Sequence, residues 1–499
     1  MTAAAVSSPA MSYIILTVVL PLLAAFLLPV FARVSMSLTR YIGPVILLLA
    51  FVQTGVVWHS MTQPFMFTLG GFAPGTGIVF YVDQLSILFT ALVLFMTLLL
   101  WPYASSTTVR EYSLTLLLAA AACGLALSGD LFNIYVFYEL ASVASFGLVA
   151  AAASSAAYLA ATRYVIISGL GTVLALTGIA LVYTQTGSLN LAQLAQLAPQ
   201  QLDNGIGIAA FLLILLGIGV KAELFPVNTW VPEVYATAGK RVSALLAGLV
   251  SKLAVLVLVR ILVLMFNTDT ALQLLLFLGV LGVISGELAA WRSKDMSRML
   301  AYSSIGQLGM VFVAFSIPGE AGLYAGIAIA LHHLLVKPAL FLLAEKWGKS
   351  LDGLRGAAKA SPTAAILLVL FALSLVGVPP FPGFWAKLLL VMGLISQDAP
   401  AYTLALAVIL VATVIEANYF FKLIISLYDK TQAQGSEASD AAQSHSRLNL
   451  ATSGLLAAAL IGALFFIAPL GEKLKHTANQ AADVKLYIAT VFPAGGPKS

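Results

Sequence analysis

The chain is poor in the residues that carry most metal and redox chemistry. Cys123 is the single cysteine among 499 residues, which excludes a disulfide framework, a CxxC motif and a cysteine-ligated cluster. The five histidines are too scattered for a zinc or haem site, and the sequence contains no GxxxxGKS phosphate loop. We therefore expect no cofactor, no bound metal and no nucleic-acid partner.

Charged residues are scarce as well. They make up 9% of the chain, against 61% hydrophobic residues, whereas soluble domains carry roughly 25% charged residues. Runs of about 20 apolar residues, long enough to span a bilayer, recur along the chain. The composition predicts an all-α integral membrane protein with about fourteen transmembrane helices. The predicted spans are residues 12–31, 41–59, 82–101, 111–129, 131–152, 158–183, 207–226, 243–266, 270–290, 299–316, 321–344, 363–397, 402–427 and 449–470.

The basic residues divide the loops into two classes. Of the 25 Lys and Arg residues, fifteen fall in or at the edges of alternate loops, six lie inside spans and four lie in the C-terminal tail. Because Lys and Arg are enriched in cytoplasmic loops, we predict that these loops face the cytoplasm and that both termini lie outside. The expected location is the plasma (inner) membrane, crossed many times.

The segments between spans are small. Residues 60–81 contain two short apolar stretches separated by Gly-rich turns, which predicts a hairpin. Residues 186–206 place leucines at near-helical spacing and predict an interfacial helix. Residues 431–447 are rich in Gln, Ser and Ala and are predicted to be flexible. None of these segments is large enough to form a catalytic domain.

Four charges interrupt long apolar runs, namely Glu139, Lys221, Lys252 and Lys387. A charge near the bilayer midplane costs a few kcal/mol or more, so it normally faces a protein or water-filled interior and serves transport. Pro226 follows Lys221 by five residues, and proline removes a backbone donor and opens a helix to polar groups. The pattern predicts that the chain moves ions.

A second broken helix is predicted around Lys387. Three prolines precede this lysine within the twelfth span, at positions 379, 380 and 382. Spans four to eight and nine to thirteen therefore form two five-helix units, each with a broken helix carrying a lysine, as in an inverted-repeat transporter. The expected units are residues 1–110, an N-terminal three-helix segment; 111–268, the first repeat; 269–430, the second repeat; and 431–499, a cytoplasmic loop, helix fourteen and an external tail.

Three long motifs, in order, carry a family resemblance. They are GVKAELFPVNTWVPEVYA in the seventh span, KDMSRMLAYSSIGQLG in the tenth and LSLVGVPPFPGFWAKLLL in the twelfth. They resemble the proton-conducting antiporter-like subunits of respiratory complex I, Mrp cation/proton antiporters and membrane-bound hydrogenases. The resemblance runs from about Asp83 to about Lys430, and the chain is most similar in type to the D subunit of Mrp antiporters.

The resemblance implies roles for the buried charges in proton translocation. Glu139, in the fifth span, is the acidic partner of Lys221, and a pair that forms and breaks changes the proton affinity of both members. Lys252 passes protons from one half-channel toward the other. Lys387 is the terminal site that exchanges with the outer aqueous side. A static structural ion pair between Glu139 and Lys221 remains the alternative.

The eleventh span adds a histidine and lysine face. His333 and Lys337 are four residues apart and share one side of a helix, and His332 is adjacent. Histidine titrates near neutral pH and both donates and accepts protons, which suits a relay. We expect His332, His333 and Lys337 to join the proton route.

Further candidates are less clearly functional and share only their place near the expected route. Glu416 is a potential extra site, Glu233 matches an acidic position in the family's seventh-span turn, and Arg260 is equally compatible with a structural role. Glu223 is expected to cap or pair locally. The remaining candidates, which could hold waters along the axis, are Tyr302, Ser303, Ser304 and Gln307.

Two positions depart from the family. Asn228 and Gln307 stand where relatives often have histidine, and neither amide titrates. Water must carry protons past these points, or the route differs.

The sequence thus predicts a proton-translocating, antiporter-like subunit of a multi-subunit complex, most similar to the D subunit of Mrp-type Na⁺/H⁺ antiporters. The alternative is the proton-pumping membrane subunit of a redox complex, either complex I or a membrane-bound hydrogenase. In both cases this chain has no redox centre of its own, and its expected partners are other membrane subunits, protons, Na⁺ and the lipid bilayer. A structural scaffold with static buried pairs and a stand-alone transporter remain open.

Overall fold

A computed structural model describes residues 13–75, 77–104, 107–347, 350–351, 354–429 and 440–493, with the backbone alone described for 440–446. The described residues form nineteen helices and one two-stranded sheet. The protein is therefore mostly helical, as expected.

The helices follow one another with short connections. The first ten are α1 Leu16–Ala32, α2 Met36–Ser60, α3 Gln84–Leu99, α4 Val109–Leu127, α5 Leu131–Ala150, α6 Ser155–Thr186, α7 Leu191–Gln201, α8 Gly205–Gly219, α9 Val231–Thr237 and α10 Lys240–Met265. The other nine are α11 Asp269–Arg292, α12 Met296–Phe315, α13 Glu320–Ala344, α14 Pro362–Val376, α15 Pro382–Ile395, α16 Pro400–Leu427, α17 Asp440–Phe465, α18 Ile467–Ala482 and α19 Val484–Val491.

Within the described ranges, eleven helices are long and apolar enough to cross a membrane. The three other predicted spans, residues 82–101, 207–226 and 363–397, contain shorter apolar helices: α3, α8, and α14 with α15. The mostly helical membrane character is confirmed, and the total of fourteen spans stays a prediction.

Polar caps fix where several helices begin. Asp83 accepts a hydrogen bond from the backbone of Ser86 at the start of α3, and Thr108 does the same for Glu111 at the start of α4. In both cases the third helical residue bonds back to the cap, which forms a capping box. These short polar segments end each apolar run before the next helix starts.

The predicted hairpin is confirmed. Strand β1, Phe65–Thr68, pairs antiparallel with β2, Val79–Val82. Residues 186–206 contain α7, which Asn190 caps through its side chain, so the predicted helix there is also confirmed. Most of the stretch 431–447, predicted to be flexible, lies outside the described residues.

Helices α10, α12 and α13 lie at the centre of the bundle. In each of these helices, 89% to 94% of the most apolar 18-residue stretch is buried, whereas the value for α2 is 28%. These central helices carry many of the polar residues of interest, because a membrane protein keeps such groups in its interior.

Small residues allow α11 and α12 to approach closely. A Cβ atom on Gly309 would lie 2.6 Å from the backbone nitrogen of Val283, and one on Gly279 would lie 2.9 Å from that of Val313. Glycine lets membrane helix backbones come together in this way. The close approach brings the side chains of α11 against the polar face of α12.

The C-terminal tail folds back onto the bundle. The Gln84 backbone donates a hydrogen bond to the side chain of Gln480 on α18, at 2.8 Å. The rings of Tyr81 and Tyr487 lie 3.8 Å apart, which joins α19 to strand β2. The tail therefore covers the hairpin end of the protein.

Candidate functional site

The seventh predicted span is broken between α8 and α9, where residues 220–230 form turns. The break leaves helical carbonyl groups without their usual backbone donors. The Tyr138 hydroxyl donates to the carbonyl of Gly217 at 3.0 Å, and the Trp230 indole donates to that of Val220 at 2.9 Å. Side chains from neighbouring segments thus satisfy the opened backbone, as the apolar environment requires.

Lys221 lies at this break and is 2% exposed. Its ammonium group donates to the hydroxyls of Ser142 and, at 3.2 Å, Ser168. It also lies 3.9 Å from the centre of the Tyr138 ring, a cation–π distance. Two hydroxyls and an aromatic face therefore hold this lysine.

Glu139 does not contact Lys221 directly. Its carboxylate accepts a hydrogen bond of 2.5 Å from Thr172 on α6, and no ion pair joins Glu139 to Lys221 in the described part of the chain. The two groups still interact electrostatically. Glu139 and Lys221, the predicted partners, therefore interact without direct contact.

Glu223, expected only to cap or pair locally, lies inside the protein and interacts with distant groups. It is 1% exposed and accepts a hydrogen bond of 2.6 Å from the Tyr235 hydroxyl. Its φ angle of 57° is unusual for a residue other than glycine. The carboxylate lies near enough to Lys252 and Lys337 to interact electrostatically with both. In the sequence, the position of this acid two residues after Lys221 was the signal that could have identified it.

A π-helical turn positions Lys252. Residues Leu246–Val250 interrupt the α-helical hydrogen-bond pattern within α10, and such turns occur often at functional sites. The Lys252 ammonium donates to the Ala247 carbonyl and, at 3.0 Å, to the Ser251 hydroxyl. The side chain is fully buried, so it does not reach a membrane surface.

The three predicted residues of α13 are all buried. Lys337 donates to the Leu300 carbonyl at 3.1 Å and to the Ser303 hydroxyl at 2.7 Å. A hydrogen bond of 2.9 Å joins Nε2 of His332 to Ser374. Neither ring nitrogen of His333 has a hydrogen-bond partner among the described residues, although its ring lies in the electrostatic field of Lys337.

The second break separates α14 from α15. Gly377 ends α14 with a φ angle of 92°, a left-handed conformation that glycine adopts without steric cost. The carbonyl of Val376 then accepts a hydrogen bond of 3.1 Å from Lys387. A Cβ atom on Gly377 would lie 3.2 Å from Cδ of Lys387. This break therefore supplies both an acceptor and the space for the lysine.

Lys387 forms an ion pair with Glu416 of α16, at 2.5 Å. Glu416 is fully buried, and its second oxygen accepts a hydrogen bond of 2.7 Å from Gln307. By sequence, Glu416 and Gln307 are only additional candidates, and both lie far from Lys387 along the chain. The structure brings all three together, and Gln307 bonds the carboxylate.

Glu287 of α11 was missed. It is 1% exposed, and the Tyr419 hydroxyl donates a hydrogen bond of 3.0 Å to it. It lies near the end of an apolar run, five residues before Arg292. It therefore does not stand out in the sequence as a charge inside a span, as Glu139 does.

Three other candidates remain, namely Arg260, Glu233 and Tyr302. Arg260 is held by Asp83 through two hydrogen bonds of 2.8 and 2.9 Å, in a buried ion pair beside the hairpin. Glu233 pairs with the partly exposed Arg163. Tyr302 is partly buried on α12.

The ionisable groups form a row between the two breaks, and all of them are buried except Lys387, which is partly buried. Each group except Lys221 interacts electrostatically with at least one other member of the row, whereas the charged partner of Lys221 is Glu139. From the first break to the second, the row contains Lys221, Glu223, Lys252, His333, Lys337, Glu416 and Lys387. Such rows inside membrane proteins mark ion and proton pathways.

Comparison with known proteins assigns the chain to a family. The family described as "NADH:quinone oxidoreductase/Mrp antiporter, TM" matches residues 128–416, more than half of the chain. The chain belongs to this family, which confirms the resemblance found in the three motifs.

Two relatives carry different names, one that of a quinone oxidoreductase subunit and the other that of an antiporter subunit. The NADH-quinone oxidoreductase N subunit of Desulforudis audaxviator is 34% identical over 440 residues, covering 83% of this chain and 86% of the relative. The Na(+)/H(+) antiporter D subunit of Alkalihalophilus pseudofirmus is 28% identical over 499 residues, covering 96% of this chain and 99% of the relative.

Two solved structures share the fold over nearly the whole chain. A chain of the archaeal membrane-bound sulfane sulfur reductase matches with a TM-score of 0.87 and 30% identity, over 96% of this chain and 99% of that one. A chain of the Mrp complex from Dietzia sp. matches with a TM-score of 0.84 and 26% identity, over the same shares. Both structures are of membrane complexes.

Proposed function

We propose that this chain is a proton-translocating, antiporter-like subunit of a multi-subunit membrane complex, most similar to the D subunit of Mrp-type Na⁺/H⁺ antiporters. The observation that carries the proposal is the row of buried lysines between two helix breaks. Hydroxyl groups, which suit a neutral amine as well as an ammonium group, contact Lys221, Lys252 and Lys337. The relative from A. pseudofirmus, similar along its full length, supports the antiporter assignment.

Proton transfer along the row proceeds by steps between neighbouring groups. A proton bound at Lys221 passes by way of Lys252, the α13 histidines and Lys337 to Lys387. Each lysine alternates between ammonium and amine, so the row carries charge without a cofactor. Where side chains do not touch, water completes the connection.

Glu139 serves as the switch at the start of the row. When Thr172 holds its carboxylate, at 2.5 Å, Lys221 has no carboxylate in contact. Movement of Glu139 toward Lys221 would favour the ammonium form, and movement away would disfavour it. Glu139 is only partly buried, which places it within reach of a neighbouring subunit.

We further propose fourteen spans and two inverted repeats, residues 111–268 and 269–430. The occurrence of a lysine-bearing break in each unit supports this division. The basic loops face the cytoplasm and both termini lie outside. Protons then enter from the cytoplasm through the first repeat and leave on the outer side by way of Lys387.

A redox complex is the second candidate for the assembly. The 34% identity to a quinone oxidoreductase subunit and the structural match to a sulfane sulfur reductase chain favour it. Purification of the complex, with mass spectrometry of its neighbours and a search for iron–sulfur or flavin absorbance, separates the two. Such absorbance would assign the chain to a redox pump, and its lack in an active complex would favour the antiporter.

Substitution of Lys221 tests translocation itself. In everted vesicles that contain the assembled complex, we expect Lys221→Ala to lower proton-coupled transport by about 10²-fold, as for loss of a proton-transfer group. Lys422→Ala is the matched control, because this lysine is exposed on α16. Intact transport by an assembled Lys221→Ala complex would support a static scaffold and reject the proposal.

A further inference from the structure

Glu287 occupies a buried position on α11. A groove of about 290 Å³ on the protein surface, between α11 and α16, extends to Glu287. The other residues that line this groove are aliphatic. On its inner side the carboxylate packs against Gly306 of α12, where a Cβ atom would collide with Oε1. A glycine thus makes room for the acid, and the groove supplies no polar partner.

Two hydroxyl groups connect Glu287 to the lysine row. The Tyr419 hydroxyl donates to Oε2 of Glu287 at 3.0 Å. The Ser303 side chain lies beside the Tyr419 hydroxyl and accepts a hydrogen bond of 2.7 Å from Lys337. Oε1 of Glu287 has no hydrogen-bond partner among the described residues. The path therefore runs from an ammonium group through two hydroxyls to a carboxylate that is only half satisfied.

The charges around Glu287 limit its possible states. The groups that face it are Glu416, Lys387, Tyr419 and Lys337. Lys387 and Glu416 already form a neutral ion pair. An ionised Glu287 therefore depends on Lys337 as its counter-charge, although the ammonium group contacts a carbonyl and a hydroxyl instead. Separated buried charges of this kind are costly, because they lose hydration without direct pairing.

We propose that Glu287 is a proton-binding residue that exchanges a proton with Lys337 through Ser303 and Tyr419. The Lys337 ammonium gives a proton to the Ser303 oxygen, Ser303 gives its own to Tyr419, and Tyr419 gives its own to Glu287. Both hydroxyls are restored, while an ammonium and a carboxylate become an amine and a carboxylic acid. Net charge is conserved.

This step deepens the proposed function and rests on it. Tyr419 and Glu416 are three residues apart on α16, so their side chains share a helix face. A proton on Glu287 therefore stands beside the Lys387 pair. Glu287 would give the second repeat a storage site between Lys337 and Lys387.

Three variants of the assembled complex test the step in everted vesicles. Glu287→Gln keeps the size of the side chain and removes its titration, while Tyr419→Phe and Ser303→Ala each remove one hydroxyl. We expect each to lower proton transport by at least about tenfold. Tyr402→Phe is the control, because this buried tyrosine of α16 donates to the Ser316 carbonyl at 2.7 Å, away from the row.

Infrared difference spectra between acidic and alkaline buffer give a second readout. We expect a carboxylic-acid carbonyl band that Glu287→Gln abolishes, that Tyr419→Phe shifts through loss of its hydrogen bond, and that Tyr402→Phe leaves unchanged. An unchanged band in Glu287→Gln, or wild-type transport by Tyr419→Phe and Ser303→Ala, would overturn the inference. A band that appears only after Na⁺ is removed would assign a sodium ion to the site instead.

The two proposals fail separately. If Lys221→Ala loses transport while the Glu287, Tyr419 and Ser303 variants keep it, translocation stands and the Glu287 step is wrong. If Lys221→Ala keeps transport, the proposed function itself is wrong.

Discussion

The two helix breaks present their lysines to different surroundings. At the break between α8 and α9, Lys221 contacts two serine hydroxyls and an aromatic ring. At the break between α14 and α15, Lys387 contacts a carboxylate and a backbone carbonyl. Glu139, the carboxylate predicted to pair with Lys221, accepts a hydrogen bond from Thr172 instead.

This difference has a chemical meaning. Hydroxyl groups both donate and accept, so they suit an amine as well as an ammonium group. A buried carboxylate favours the ammonium group, because removing either charge leaves the other unpaired in a low-dielectric interior. The first break is therefore compatible with either protonation state of its lysine, and the second holds the charged state. The two breaks thus place similar lysines in two different electrostatic environments.

The largest effect is expected from Lys387→Ala. It leaves the carboxylate of Glu416 buried and unpaired, so we expect a loss of about 3–5 kcal/mol in the free energy of unfolding. Proton transport in vesicles should also fall by about 10²-fold. Lys221→Ala should lower transport equally but cost only about 1–2 kcal/mol of stability, since it breaks hydrogen bonds to neutral groups. Equal stability losses, measured by unfolding of the purified proteins, would contradict the comparison.

Gly377→Ala tests how the second break holds its lysine. The positive φ angle opposes any Cβ, at a cost of about 1–2 kcal/mol, and the new methyl group also crowds Lys387. Gly187→Ala is the matched control, since its φ is 66° and a Cβ there meets no atom within 4 Å. We expect similar losses of thermal stability, but a fall in transport, by about tenfold, only for Gly377→Ala. A similar fall in both variants would mean that general backbone strain explains the loss.

The smallest effect is expected at the first break. Thr172→Val removes the hydroxyl that holds Glu139 and favours its contact with Lys221 by about 1 kcal/mol, or about fivefold in the equilibrium. We expect a slowing of proton transport of that order in vesicles. Thr177→Val is the control, since its hydroxyl bonds only the Val173 carbonyl on an exposed face of α6. Equal rates in the two variants would show that Thr172 does not restrain the switch.

Much of the architecture follows from the sequence, because apolar length and proline position depend on local residues. The hairpin and the buried position of Lys252 were predicted correctly. The pairing of Lys387 with Glu416 was not, because it joins separate helices and depends on how α15 and α16 pack. Glu287 was missed for a related reason. Near the end of an apolar run, only tertiary contacts such as Gly306 distinguish a buried acid from one at the membrane surface.

Double-mutant cycles on the two lysine–glutamate pairs test the central comparison most directly. The variants are Lys→Met and Glu→Gln at Lys387 and Glu416, and at Lys221 and Glu139, with the free energy of unfolding of each purified protein as the measurement. We predict a coupling of about 2–4 kcal/mol for Lys387 with Glu416, as for a close charge pair. For Lys221 with Glu139 we predict less than about 0.5 kcal/mol, as for residues without contact. Equal couplings at the two breaks would contradict the account.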